Sequence, residues 1–281
     1  MQLYSIDTGF FKLDGGAMFG VVPKSIWQKT NPADANNMCT WAMRCLLVED
    51  GNRLVLIDTG IGTKQSEKFF SYYFLHGNHT LENSLNRAGF SLSDITDVVL
   101  THLHFDHCGG AITRSGSGIL QPTFPNAQYW SNERHWQWAT QPNAREKASF
   151  LEENITPIRE SGQLKMIERG ADSTAAAINM EFLFVDGHTD SMMLPLITWK
   201  GRRVCFMADL LPSVGHIPLA YVMGYDTRPL ITLDEKSKIL RRAVDENWVL
   251  FFEHDAVNQC ASLHETEKGI RANQYFRLDE L

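Results

Sequence analysis

The run Asp97-Val98-Val99-Leu100-Thr101-His102-Leu103-His104-Phe105-Asp106-His107 sets a strand-like apolar segment directly before three imidazoles and a carboxylate. Imidazole and carboxylate are the ligands that borderline divalent metals such as zinc select. Packed this closely they cannot avoid one another, and a shared cation or a pair of cations reconciles them. The bland alternative is a polar loop that happens to be rich in histidine. The composition of the chain makes a chance His-x-His-x-Asp-His match rare, so the metal reading is preferred.

A dinuclear centre needs more ligands than one loop supplies, so others should stand elsewhere. His188 follows the apolar run Phe182-Leu183-Phe184-Val185, and Asp209 follows Val204-Cys205-Phe206-Met207-Ala208. His254 follows Trp248-Val249-Leu250-Phe251-Phe252, with Glu253 between. Asp58 ends Leu54-Val55-Leu56-Ile57 and leads into Thr59-Gly60. Each polar residue lies at the carboxyl end of a buried-type strand, where open α/β sheets place their ligands. Singly, each is more simply a turn former or a satisfied polar group. The repeated placement argues for one site.

With these motifs the chain resembles the metallo-β-lactamase superfamily of metal-dependent hydrolases. Asp58 in Ile-Asp-Thr-Gly, the His102/His104/Asp106/His107 loop with Gly109-Gly110 after it, Gly187-His188-Thr189, Asp209 and His254 stand in that family's order. The resemblance implies one metal on His102, His104 and His188, and a second on Asp106, His107 and His254. Asp209 would bridge the two, and Asp58 would orient a ligand from behind. Two divalent ions are implied, zinc first, with manganese, iron or cobalt as alternatives. The implied fold is an α/β (α+β) four-layer αβ/βα sandwich. Two mixed β-sheets lie face to face, helices cover both outer faces, and the metals sit at one rim.

The ligand set separates branches of the family. The commonest β-lactamases carry Arg at the position of His107 and Cys at that of Asp209, and diiron flavoproteins carry Glu at that of His104. A full set with a bridging Asp is similar to the lactonase, glyoxalase II and organophosphate-hydrolase branches. The stretch Lys12-Leu13-Asp14-Gly15-Gly16-Ala17-Met18-Phe19-Gly20 further resembles the acyl-homoserine lactonase and methyl parathion hydrolase branch. One position departs. Acyl-homoserine lactonases place a Tyr three residues after the bridging Asp, whereas this chain has Pro212. Tyr221, Tyr225 and His216 are the nearby groups that could take its place.

Length and composition suit an ordinary enzyme. A chain of 281 residues with 43% hydrophobic content can bury a large core. The motifs run from 58 to 254, so a domain split would cut the site apart. One domain over 1–281 is expected, with a candidate helical insertion around 131–180. A net charge of −7, with acids and bases interspersed, disfavours nucleic acid as a partner. The five cysteines form no Cys-x-x-Cys pair, which suggests free thiols in a reducing compartment. The amino-terminal residues show no signal-peptide pattern, and no apolar run reaches membrane-spanning length. A cytoplasmic protein with a small-molecule substrate and no membrane partner is expected. Its oligomeric state is left open, a homodimer among the options.

A coarse pass predicts strands at 41–48, 53–57, 97–101, 127–130, 181–185, 192–199, 203–208 and 248–252. Helices are predicted at 65–75, 80–88 and 234–246, the second capped by Gly89. The stretch 131–180 reads either as amphipathic helices packed on the sandwich or as an insertion roofing the site. Met18, Phe19, Trp27 and Trp41 read as core before pocket wall. Of the remaining histidines (76, 79, 135, 216 and 264), only His216 invites a test.

The expected chemistry is hydrolysis of an ester-like bond in a small molecule, a lactone or carboxylic ester before others. A hydroxide bridging the metals would attack, with Asp209 and Asp106 as the catalytic carboxylates and Asp106 a source of the leaving-group proton. Organophosphate or thioester hydrolysis is the neighbouring alternative. From other classes, an iron-dependent oxidoreductase or a non-catalytic metal-binding protein stays open.

Overall fold

The computed structural model describes residues 1–170, 174–175 and 178–281. The chain begins with β1 (Gln2–Asp14), short helices α1 (Gly15–Phe19) and α2 (Lys24–Trp27), then β2 (Met38–Asp50) and β3 (Arg53–Ile57). Helices α3 (Glu67–Ser71) and α4 (Leu81–Arg87) precede β4 (Asp97–Val99) and the one-turn α5 (Phe105–Cys108). A small hairpin of β5 (Ile112–Arg114) and β6 (Leu120–Pro122) leads to β7 (Gln128–Ser131), α6 (Glu133–Thr140), α7 (Glu152–Glu160) and β8 (Leu164–Met166). The second half contains β9 (Thr174–Ala175), β10 (Met180–Val185), β11 (Met192–Trp199), β12 (Arg202–Phe206), the long α8 (Pro229–Asp245), β13 (Val249–Phe251), β14 (Cys260–Thr266) and β15 (Gly269–Phe276).

Two mixed sheets result, ordered β1-β2-β3-β4-β7-β8 and β15-β14-β13-β12-β11-β10-β9. Strand alternation decides how they pack. Leu46 and Val48 of β2, Val55 and Ile57 of β3 and Val99 of β4 belong to one core that they share with the second sheet. The intervening Cys45, Leu47, Leu56 and Val98 join another core with Leu85 of α4, Trp136 of α6 and Ile158 of α7. Leu240 and Ala243 of α8 cover the far side of the second sheet. The order is therefore helix, sheet, sheet, helix, the sandwich that the motifs implied.

Local chemistry explains several element ends. Thr80 and Asn83 exchange side-chain and backbone bonds in a capping box at the start of α4. Pro229 opens α8, where its missing N–H costs nothing, so this helix starts five residues before the predicted 234. The helix predicted at 65–75 is shorter: it is capped by Ser66, and Phe74 takes a left-handed φ of 47°. Strand β1 is not predicted, because Gly9 (φ 118°) sits in a bulge between Asp7 and Phe10 that destroys the two-residue period. Strands β14 and β15 also escape the pattern, since β15 is an edge strand carrying Arg271, Asn273 and Gln274.

The stretch 131–180 includes α6, α7 and β8. Its helices α6 and α7 pack on the first sheet, and β8 extends that sheet beside β7. Between the helices, Arg145, Glu146, Ala148 and Ser149 line the cavity described below. Residues 171–173 and 176–177 of the stretch lie outside the described residues. Phe19, Trp27 and Trp41 are core, while the buried Met18 also reaches the cavity wall. No helix among the described residues is long and apolar enough to cross a membrane.

Candidate metal centre

Strand ends deliver every side chain singled out from the sequence. Asp58 follows β3, the 101–107 loop follows β4, His188 follows β10, Asp209 follows β12 and His254 follows β13. Two of the turns are strained, with Asp58 at φ 56° and Ala208, just before Asp209, at φ 41°. Gly109 and Gly110 let the metal loop close on the β3 turn. A Cβ at either would lie 2.2 Å from the carbonyl oxygen of Ile61 or Thr59.

The side chains converge in two groups, both buried: His102, His104, His188 and Asp209, and Asp106, His107 and His254. In each, one ligand atom per residue lies within 4.8 Å of the others. Asp209 joins them. Its Oδ2 lies 3.2 Å from His188 Nε2, and its Oδ1 lies 3.1 Å from His254 Nε2 and 3.5 Å from His107 Nε2. Asp106 Oδ2 stands 3.7 Å from His254 Nε2.

Outer partners fix the rings. Asp58 Oδ2 lies 3.1 Å from His107 Nδ1 and also accepts the Thr101 hydroxyl at 2.6 Å. Its other oxygen accepts the Thr101 amide at 2.8 Å. Glu253 brings a second carboxylate oxygen to 3.0 Å from the same His107 nitrogen. Asp226 stands 2.9 Å from His188 Nδ1, and the Ala42 carbonyl 2.8 Å from His254 Nδ1. His135, unassigned from the sequence, accepts the Leu103 amide through Nε2 at 2.9 Å and contacts the Asp190 carbonyl through Nδ1, which props the metal loop. Sequence reasoning missed Glu253, Asp226 and Glu146. Only Glu253 carried a signal, as a carboxylate beside His254 after an apolar strand.

The donor set fits divalent cations. His104 Nδ1 faces His188 Nε2 at 3.1 Å, and His107 Nε2 faces His254 Nε2 at 3.2 Å. His102 Nε2 and Asp209 Oδ1 are buried with no hydrogen-bond partner among the described residues. Burial and the neighbouring histidines hold His102 well below the usual imidazole range, so its ring is neutral and free to coordinate a cation. Burial also opposes charge on His107 and His254, yet the carboxylates around them overcome it, raising His107 well above the usual range and His254 to about 9. Asp209 stays ionised despite burial because His107, His188 and His254 surround it. Asp58, Asp106, Asp209 and Asp226 thus gather carboxylates at one buried rim, which bound cations would balance in place of the His107 and His254 protons, while burial pushes the Glu253 carboxyl up to about 8.

The site opens into a cavity of about 440 Å³. Leu13, Met18, Tyr73, Phe105 and Tyr225 supply most of its apolar wall, and Asp106, Asp209 and His254 lie at its floor. Pro212 uses its carbonyl to accept the His254 amide at 3.1 Å. Of the three groups named as substitutes for the absent tyrosine, only Tyr225 lines the cavity. His216 is buried with its ring nitrogens at 2.9 Å from Ser213 Oγ and the Met18 carbonyl, and Tyr221 packs against the aromatic cluster around Trp41. Tyr73 is a second phenol on the wall that the sequence did not mark.

A model of the metallo-beta-lactamase superfamily matches residues 44–254. The chain belongs to that superfamily. It is one of the superfamily's hydrolases, and its histidine–aspartate groups are candidate divalent-metal sites. It is 29% identical to an N-acyl homoserine lactonase of Bacillus thuringiensis over 269 residues, 90% of this chain and 93% of the relative. It is 24% identical to an N-acyl homoserine lactonase of Bacillus cereus over 96% of both chains. Among solved structures, a probable metal-dependent hydrolase from Staphylococcus aureus superposes with a TM-score of 0.88 at 25% identity, over 98% of this chain and 96% of that one. AidC, a dizinc quorum-quenching lactonase, superposes with a TM-score of 0.78 at 21% identity, over 98% and 95%, which is a likeness of fold.

Proposed function

We propose that this superfamily hydrolase uses two divalent ions, zinc first, to open lactones or cleave other small carboxylic esters. His102, His104 and His188 would hold one ion, Asp106, His107 and His254 the other, and Asp209 both. The observation that carries this reading is the division of Asp209, one oxygen toward each histidine group. Bound there, such a pair supplies a water-derived nucleophile at neutral pH and polarises the ester carbonyl. The chain's own residues do the rest. The apolar wall of Leu13, Met18, Phe105 and Tyr225 takes up the acyl or aryl part and excludes bulk water. Asp58 and Asp226 keep His107 and His188 in one orientation. Asp106, on the cavity floor, can receive a proton at its carboxylate and return it to the leaving oxygen.

With no side-chain hydroxyl at Pro212, aryl esters and activated lactones should turn over better than acyl-homoserine lactones. The lactonase relatives support a lactone substrate, the cavity chemistry a less demanding ester. Elemental analysis of zinc-loaded protein, followed by a panel of lactones, aryl esters, thioesters and phosphotriesters, tests the reading. Two equivalents and ester turnover are expected. A plateau at one equivalent, or turnover confined to phosphotriesters or thioesters, would overturn it.

A further inference from the structure

The 131–180 stretch reaches into the metal centre at one point. Glu146, in the segment between α6 and α7, is 3% exposed and lines the cavity. Its Oε2 accepts the Trp138 indole N–H at 2.7 Å and the Asn143 amide N–H at 2.6 Å. The carboxylate therefore cannot rotate freely, and its Oε1 is aimed at His104 Nε2, 3.5 Å away. Both of those atoms are buried, and neither has a hydrogen-bond partner among the described residues. The opposite nitrogen of the same ring, Nδ1, faces His188 Nε2 within the first ligand group.

We propose that Glu146 is a positioning residue for His104: by presenting a hydrogen-bond acceptor to Nε2–H it fixes the tautomer that leaves Nδ1 bare for the cation. A neutral imidazole carries its proton on one nitrogen only, and an acceptor at one side decides which. The same contact ties the cavity roof to the metal floor, because Ser149 of this segment accepts the Phe105 amide and Arg145 bonds the Gly224 and Asp226 carbonyls. A segment that lines the cavity thus also sets a candidate metal ligand, which gives the 131–180 stretch a role beyond packing. The proposal rests on the dinuclear reading only for what Nδ1 binds; the tautomer itself needs no metal.

The isosteric variant separates this from a structural role. Trp138 and Asn143 both present donors, so Glu146→Gln must give them its carbonyl oxygen and turn its NH₂ toward His104 Nε2. A donor there favours the Nδ1–H tautomer, which closes the ligand position. Long-range proton–nitrogen spectra of metal-free protein should show Nε2–H at His104 in the wild type and Nδ1–H in Glu146→Gln. Chelator competition should show one zinc equivalent weakened by about 10–100-fold in Glu146→Gln and the other unchanged. Glu146→Ala, which removes the acceptor without adding a donor, should fall between, and it serves if the Gln variant does not fold. An unchanged tautomer with both zinc affinities at the wild-type level overturns the proposal. Wild-type protein that takes up no zinc would overturn the dinuclear reading instead, while the metal-free spectra would still decide the role of Glu146.

Discussion

The two halves of the metal centre are braced from different parts of the fold. His107 and His254 lean on Asp58 at the end of β3, Glu253 after β13 and the Ala42 carbonyl within β2. Those strands are interior members of the two sheets, with neighbours on both sides. His188 and His104 lean instead on Asp226 and Glu146, which belong to loops that also line or border the cavity. Arg145 ties these two loops to each other. One half therefore inherits the stability of the sheets, and the other that of segments with fewer cooperative bonds. With two ions bound as proposed, one would be held by sheet-braced ligands and the other by loop-braced ligands.

Asp209 is common to both halves, so its loss should erase the contrast. Asp209→Ala is expected to bring ester hydrolysis to background and to loosen both metal equivalents, measured by elemental analysis after dialysis. A variant that keeps two ions and near-normal turnover would place Asp209 outside the ligand set. The next largest effects should separate the halves. His254→Ala should release one equivalent and leave the other in place, and His188→Ala should release the complementary one. Simultaneous loss of both ions in either variant would mean that the halves form a single cooperative unit.

Outer carboxylates should sharpen the comparison at smaller amplitude. Asp58→Ala and Asp226→Ala are each expected to cost about 10–100-fold in metal affinity or turnover. Hydrogen exchange should distinguish them. Asp226→Ala should speed exchange in the cavity loops and spare β2 and β3, whereas Asp58→Ala should reach the amides of Thr101 and His107. Equal exchange profiles in the two variants would remove the distinction between sheet-braced and loop-braced ligands. The smallest effects are expected at the cavity phenols. Loss of a hydroxyl that stabilises the oxyanion costs about 100–1,000-fold in turnover, so Tyr225→Phe and Tyr73→Phe should fall well short of that on aryl esters. A loss of that size in either one would identify a side-chain donor in place of Pro212 and restore acyl-homoserine lactones as preferred substrates.

Much of this was legible in the chain. The 101–107 loop is legible because its candidate ligands are neighbours in sequence, and β4, which feeds it, and β13, which leads to His254, are short and buried. The order helix, sheet, sheet, helix followed from the family motifs and is visible in the alternation of β2 and β3. Strand β1 was hidden by its bulge, β14 by a register shift between Ala261 and Leu263, and β15 by an exposed, polar edge. Glu146, Asp226 and His135 were hidden for another reason. Glu146 and Asp226 sit on loops with no apolar period of their own, His135 lies on the buried face of α6, and each meets its partner only across the fold: Asp226 is 38 residues from His188, and His135 is 32 from Leu103.

The sequence by itself determined the kind of chemistry, because ligand type and local spacing are properties of adjacent residues and survive any rearrangement of the rest. It also determined that those residues end buried strands, since an apolar run records its own burial. Only the tertiary structure decided which oxygen of Asp209 faces which histidine, which carboxylate stands behind each ring, and that Tyr73 and Tyr225 share a wall while His216 does not. Those choices depend on where loops without a hydrophobic period come to rest, and that is set by packing against elements distant in the chain.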